Sequence, residues 1–193
     1  WLKEKNNLIK EQLKKIGIGI VIKQDLSESQ VKLTYLAIGS NLGNKKENIE
    51  KAKFALQNYD IEITKCSNNF ESDSWPNPNN PKFINIVIEI RTNLTPIKLL
   101  KVCKIIEKKL GRKKSTLNAP RPCDIDIIDY KQKILSFKNE WLILPHPKMS
   151  IRNFVLLPLF EINKSWKHPK SKKNIVNLIN SLRIKDLRSI KQI

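Results

Sequence analysis

The chain has no apolar run approaching the ~18 residues that a membrane-spanning helix needs. Its first twenty residues carry Lys3, Glu4, Lys5, Lys10, Glu11, Lys14 and Lys15, which no secretory hydrophobic segment tolerates. Cysteine is scarce: Cys66, Cys103 and Cys123 are widely spaced, odd in number and without a C-x-x-C pair. A disulfide framework and a zinc site are therefore not expected, whereas reduced thiols in a cytoplasm are. Five glycines without period exclude a collagen-like chain. Acidic residues are few, 18 against 37 basic ones, and only six of the basic residues are arginine. What is present is one domain's worth of chain, 193 residues with 40% hydrophobic and 28% charged side chains, enough for a real core and too apolar for wholesale disorder.

The net charge of +19 makes nucleic acid the first partner to test, because lysine and arginine on phosphates supply most non-specific affinity. Its distribution argues otherwise. Residues 1–30 carry +2, 31–163 carry +9 and 164–193 carry +8, nearly all of it lysine, in a chain also rich in Ile and Asn. A solvated lysine-rich surface accounts for this better than a selected groove.

Residues 1–30 read as a separate piece of no assignable chemistry. Leu2, Leu8, Ile9 and Leu13 fall loosely on one helical face, Gly17 to Ile22 resembles a short strand, and Asp25 to Gln30 is polar. The chain opens on Trp1, so the expectation is either a fragment or a segment preceded by something else, such as an upstream domain of which this is the tail. From residue 31 the periodicities sharpen. Val31 to Ile38 predicts a strand ending in Gly39-Ser40-Asn41-Leu42-Gly43, Lys46 to Tyr59 a helix, and Ile61 to Cys66 a second strand. Residues 73–81, with three prolines, predict a long loop of the kind that is often functional. In Phe83 to Ile90 the isoleucines at 84, 86, 88 and 90 share one strand face, while Phe83 and Asn85 share the other. Thr95-Pro96 predicts a capped helix start and Gly111 its end. Cys123 to Ile128 predicts a further strand, with a hairpin through Asp129 to Lys133 and a return strand from Ile134. The order β-α-β-β-α-β predicts an α+β fold of ferredoxin-like type, an antiparallel sheet with helices on one face and C-terminal additions.

Asp124 and Asp126 project from one face of their strand, and two carboxylates so placed can share hard cations. Such a pair is more often solvated surface, but its neighbours sharpen it. Arg112 lies just past a helix end and Arg121 three residues before Asp124, so planar cations suited to phosphate oxygens stand beside the carboxylates. His146, between two prolines, serves equally as a structural loop residue or a phosphate contact, and Phe154 would ordinarily be core.

These residues carry a resemblance. Gly39-Ser40-Asn41-Leu42-Gly43, Phe83-Ile84-Asn85, Glu107 before Gly111-Arg112, Ala119-Pro120-Arg121 leading into Asp124-Ile125-Asp126-Ile127, and Leu144-Pro145-His146-Pro147 before Arg152-Asn153-Phe154 occur in order. Together they resemble the 6-hydroxymethyl-7,8-dihydropterin pyrophosphokinases of folate biosynthesis over roughly residues 31–185. The resemblance implies transfer of pyrophosphate from ATP to the hydroxymethyl oxygen of the dihydropterin, release of AMP, and two Mg²⁺ ions on Asp124 and Asp126. It implies catalytic roles for Arg112, Arg121, Asp124 and Asp126, and ATP contacts from Glu107, Lys114, Arg121, Ile127, His146 and Arg152. Pterin contacts would come from Ser72, Asp73, Trp75, Phe83, Asn85, Asp124 and Phe154, with Phe83 and Phe154 stacking on the two ring faces. The loops at Gly39–Leu42 and around Trp75 would close over the substrates. Departures are Asn118 where relatives often carry an aromatic, Ala119 for a glycine, and Lys114 for an arginine. The domain assignment is then an extension over 1–30, which relatives fused to an upstream folate enzyme such as an aldolase suggest is the end of such a domain, and a pyrophosphokinase domain over 31–193. The expected location is cytoplasmic.

Two other readings fail on spacing or side chains. Nucleotidyltransferases pair a Gly-Ser turn with D-x-D about ten residues later, whereas Ser40 and Asp124 are 84 positions apart. An RNA-recognition domain shares the element order but needs stacking aromatics in a K/R-G-F/Y-G/A-F-V strand, which is lacking, so nucleic acid is not the expected partner.

Overall fold

The computed structural model describes residues 33–113, 116 and 118–193, together with Leu8 and Glu11. The predicted features of segment 1–30, apart from Leu8, and the expected role of Lys114 lie outside these residues. The elements run β1 (Thr34–Ser40), α1 (Lys45–Gln57), β2 (Ile61–Cys66), β3 (Phe70–Ser72), β4 (Phe83–Thr92), α2 (Pro96–Lys109), β5 (Asp124–Tyr130), β6 (Leu135–Phe137), β7 (Leu142–Leu144), α3 (Asn153–Ile162), α4 (Ile175–Ser181), α5 (Ile184–Arg188) and β8 (Ile190–Gln192). The fold is α+β. Among the described residues no helix is long and apolar enough to cross a membrane.

The sheet is ordered β5-β1-β4-β3-β8, and β4 is its spine. Ten residues long, β4 pairs along one side with β1 and along the other with β2 at its C-terminal half and β3 at its N-terminal half, all antiparallel. Thr95 caps α2 by accepting the N–H of Lys98, with Pro96 in the first turn as its sequence predicts.

Helices pack on both faces of the sheet, which corrects the one-faced arrangement the sequence predicts. The isoleucines of β4 face Ile49, Ala52 and Leu56 of α1 and Leu99, Cys103 and Ile106 of α2. The opposite face carries Tyr35, Phe70, Val87 and Ile128, packed against Val155, Leu156 and Leu159 of α3 and Leu178, Ile179 and Leu187 of the C-terminal helices. A strand buried on both sides loses its polar-apolar alternation. β4 keeps it because Glu89, inside this second layer, is satisfied by the Tyr35 hydroxyl at 2.9 Å and the Thr64 hydroxyl at 2.9 Å.

The hairpin predicted through Asp129 to Lys133 does not form between β5 and the next strand. β6 pairs with β7 in a separate two-stranded ribbon, and β5 pairs with β1. The β1–β5 register shifts between Tyr35 and Leu36, which face Asp129 and Ile127, so Ile128 is an extra, bulged residue. Both Ile128 and Asp129 consequently turn towards the C-terminal layer. Asp129 is fully buried there and accepts the indole N–H of Trp166 at 2.9 Å. That bond, with Asn163 donating to the Tyr35 hydroxyl at 2.8 Å, hangs a loop over residues 163–174 that displays Lys164, Lys167, Lys170, Lys172 and Lys173 to solvent.

Candidate active site

Strand alternation puts Ile125 and Ile127 in the α1/α2 core and turns Asp124 and Asp126 to the other face of β5. Arg112 reaches them because of how α2 ends. Gly111, at φ 91°, donates its N–H to the Lys108 carbonyl at 3.1 Å, and Arg112 donates to the Glu107 carbonyl at 3.0 Å, the paired bonds of a Schellman turn. The turn brings the Arg112 Nη1 atom to 2.8 Å from Glu107 Oε2 and 2.5 Å from Asp124 Oδ1. Glu107 is 2% exposed, and its Oε1 accepts the Ile125 N–H at 2.8 Å and the Lys104 ammonium at 2.8 Å. One buried carboxylate thus ties α2 to the start of β5 and aims Arg112. Burial pushes the Glu107 carboxyl above its ordinary value, against the pull of Lys104 and Arg112.

Arg121 Nη2 lies 2.6 Å from Asp124 Oδ2. Burial alone would raise Asp124, but Arg121 and Arg112 outweigh it and hold the carboxyl below the usual range. Asp126 Oδ2 meets Arg152 Nη1 at 3.1 Å and His146 Nε2 at 3.8 Å. The backbone N–H of Lys148 donates to His146 Nδ1 at 3.2 Å, so a neutral ring carries its proton on Nε2, the side facing Asp126. Burial lowers the His146 pKa; Asp126 opposes this, and Arg152 and Lys148 add to it.

Two adjoining recesses meet at these carboxylates. The narrower is lined by Ala37, Ile38, Gly39, Ser72, Asp73, Trp75, Phe83, Asn85 and Phe154. Guanidinium groups stand over its rings: Arg121 at 5.4 Å from the Phe83 centroid and Arg152 at 5.5 Å from that of Phe154. Asn85 donates to the Ser72 hydroxyl at 2.9 Å, which fixes its amide on the floor. The wider recess is an open trough with Lys104, Lys108, Lys113, Arg112 and His146 on its walls and Glu107 at its base. Asn118, Arg121, Asp124, Asp126 and Arg152 line both.

Most of the expected site residues are therefore brought together. Ile127 is an exception, because its side chain is buried in the α1/α2 core and lines neither recess. Gly39 and Ser40 belong to β1, and Gly39 lines the floor of the narrower recess, so the loop expected at Gly39–Leu42 begins only at Asn41. Sequence reasoning missed Lys104, which its three-residue spacing to Glu107 on a helix signals, and Asn41. Asn41 is a buried staple: its Nδ2 donates to the Pro81 carbonyl at 3.1 Å, and its Oδ1 accepts the Arg121 N–H at 2.8 Å. It thus joins the exit of β1 to both loops that flank the recess. Among the described residues no group of three or more His, Cys, Asp or Glu forms a metal cage. Asp124 and Asp126 form a two-carboxylate platform open to the trough, the donor number Mg²⁺ takes when phosphate oxygens complete its shell.

An aromatic slot for a flat ring, opening across two carboxylates into a cationic trough, defines an enzyme that moves a phosphate-bearing group between a nucleotide and a heterocycle. The 7,8-dihydro-6-hydroxymethylpterin-pyrophosphokinase (HPPK) family model matches residues 35–164, and the chain belongs to this family. It is 38% identical over 135 residues to the 2-amino-4-hydroxy-6-hydroxymethyldihydropteridine pyrophosphokinase of Aquifex aeolicus, covering 70% of this chain and 82% of that one. The Bacillus subtilis enzyme of the same name is 37% identical over 67% of this chain and 77% of its own. The Schizosaccharomyces pombe folic acid synthesis protein fol1 is 33% identical, but the match spans only 21% of that longer protein. Among solved structures, an HPPK-DHPS in complex with substrates superposes with a TM-score of 0.63 at 15% identity, over 83% of this chain and 48% of that one, a likeness of fold.

Proposed function

We propose that residues 31–193 form the catalytic unit and transfer pyrophosphate from ATP to the hydroxymethyl group of 6-hydroxymethyl-7,8-dihydropterin, giving AMP and the dihydropterin diphosphate. The observation that carries this reading is the shared wall of the two recesses, Arg121, Asp124, Asp126 and Arg152, which sets a ring slot against a triphosphate trough. The pterin lies between Phe83 and Phe154, with the Asn85 amide, Ser72 and Asp73 at its polar edge. The hydroxymethyl oxygen then faces the carboxylates. It bonds to the β-phosphorus, the bridging oxygen to the α-phosphorus leaves with AMP, and the hydroxyl proton is released.

Asp124 and Asp126 would hold Mg²⁺, two ions on this reading, whose contribution when bound would be to neutralise charge on the triphosphate. The chain's own residues do the rest. Arg112, Arg121 and Arg152 now share the carboxylate oxygens, so occupancy of those oxygens frees guanidinium groups for phosphate. Among the described residues the Nε atoms of Arg121 and Arg152 are buried without a hydrogen-bond partner, donors that fit phosphate oxygens in the gap between the recesses. His146 donates Nε2–H to the same region as a neutral group. Lys104, Lys108 and Lys113 add charge along the trough.

The order β1-α1-β2-β4-α2-β5 with sheet order β5-β1-β4-β2 supports a ferredoxin-like core to which the C-terminal layer is added. Three free cysteines, two of them buried, fit a reducing cytoplasm. Residues 1–30 are read as an extension, and association with a second folate enzyme is suggested by fused relatives such as the Arabidopsis thaliana folate synthesis bifunctional protein. Incubation with ATP, Mg²⁺ and the hydroxymethyl-dihydropterin is expected to yield AMP in step with pterin diphosphate. Production of ADP instead would overturn the reading.

A further inference from the structure

The Lys148 side chain lines no part of the trough, where only its backbone N–H touches His146, and it has no carboxylate within ion-pair distance among the described residues. Its ammonium stands 5.2 Å from the centroid of the Trp75 ring. The guanidinium of Arg152 stands 5.4 Å from the same centroid. The short helical turn Met149–Ile151 separates these two cations, and its Ile151 N–H to Lys148 carbonyl bond folds them towards one another. Trp75 sits on the loop over residues 73–82 at the mouth of the aromatic recess, with 36% of its surface exposed. That loop is fastened at its ends, by Asp73 N–H to the Ser189 carbonyl at 3.2 Å and by Ser74 and Asn41 at the Pro81 carbonyl. Among the described residues, no hydrogen bond joins residues 75–79 to the segment 146–152, so the two cations on the indole make the tie.

We propose that Lys148 is a positioning residue for the pterin: with Arg152 it clamps the Trp75 indole over the recess. The inference rests on the pterin reading of that recess. Arg152 also pairs with Asp126 and is drawn on by the phosphate side, whereas the Lys148 side chain pairs with neither carboxylate and lines no part of the trough. Lys148 therefore holds Trp75 when Arg152 turns to phosphate. Among the aromatic rings the indole attracts a cation most strongly, and that attraction grows when the pair is shielded from water. The clamp acts on one substrate only.

The test is a set of steady-state measurements on the full chain with Lys148→Met, which keeps the aliphatic stem and removes the charge, and Lys148→Arg, which restores a cation. Lys148→Met is expected to raise the pterin KM about fivefold while the ATP KM stays unchanged, and Lys148→Arg to return the pterin KM to near wild type. Trp75→Leu should raise the pterin KM similarly, and adding Lys148→Met to it should change nothing more. Acrylamide quenching of the tryptophan fluorescence lost in Trp75→Phe should become more efficient in Lys148→Met. An unchanged pterin KM in Lys148→Met, an equal rise in ATP KM, or a full effect of Lys148→Met in the Trp75→Leu background would overturn the clamp, while wild-type conversion of ATP and pterin to AMP and pterin diphosphate would leave the underlying reading standing. Absence of that turnover in wild type would remove both.

Discussion

Gly39 and Asn85 face each other across the β1–β4 ladder, and a Cβ on Gly39 would stand 2.8 Å from the Asn85 amide oxygen and 3.3 Å from a Phe83 ring carbon. The glycine is needed for space, not for backbone freedom.

Replacing Gly39 with alanine should therefore push the Asn85 amide off its place and tilt Phe83. One ring-edge hydrogen bond is worth roughly 1 kcal/mol, so pterin affinity is expected to fall about fivefold, with ATP affinity nearly unchanged. Calorimetric titration of each ligand separates the two; equal losses would mean that the strand, not the floor, had been damaged.

Removal of the metal by EDTA should abolish turnover, and added Mg²⁺ should restore it. Asp126→Ala should lower kcat by on the order of 10²-fold or more while the circular dichroism spectrum stays that of wild type. Asp126 is only partly buried, and losing it frees Arg152 and His146 without opening the core. Retained activity in this variant would exclude the carboxylate from metal binding.

Asp129 supplies a pH dependence of stability. Burial raises its pKa above the ordinary carboxylate value, against the pull of Trp166 and Gln132. The folded state thus holds this proton more tightly than the unfolded chain does, and the stability it contributes is lost as pH rises from the unfolded value through the folded one. Urea denaturation of wild type and Asp129→Asn between pH 7 and pH 4 should show the wild type gaining on the variant as pH falls. A constant difference would contradict the raised value.

Ionic strength should stabilise this protein. A net charge of +19 repels itself, and the five exposed lysines of loop 163–174 concentrate part of that repulsion. Screening shortens from about 10 Å at 0.1 M salt to about 3 Å at 1 M, so the melting temperature should rise with KCl. Lys170→Glu with Lys172→Glu should raise it at low salt and lose that advantage at high salt.

How much of this was legible in the sequence varied with the size of each signal. The spacing of Asp124, Asp126 and the isoleucines survives because a strand's period of two is strict. Thr95, Pro96 and Gly111 were legible because caps have local chemistry. β3 escaped notice because three residues are too few to show a period. The second helical layer was hidden because Asn85 and Glu89 mark that face of β4 as polar, while their partners Ser72, Tyr35 and Thr64 lie 13 to 54 positions away. Ile127 looked like a site residue from its neighbours in the motif, but only strand geometry says which way it points. The spatial need for a glycine at position 39 is visible only once β4 lies beside β1.

The bulge at Ile128 also separates two kinds of genetic change in β5. Point substitutions there leave the phase of the strand intact and act on single side chains. Loss of one codon between Asp124 and Ile128 would remove the extra residue or invert the alternation, sending carboxylates into the isoleucine layer and isoleucines into the cleft. In this strand a clean three-base deletion is therefore expected to be more damaging than most missense changes, although it preserves the reading frame.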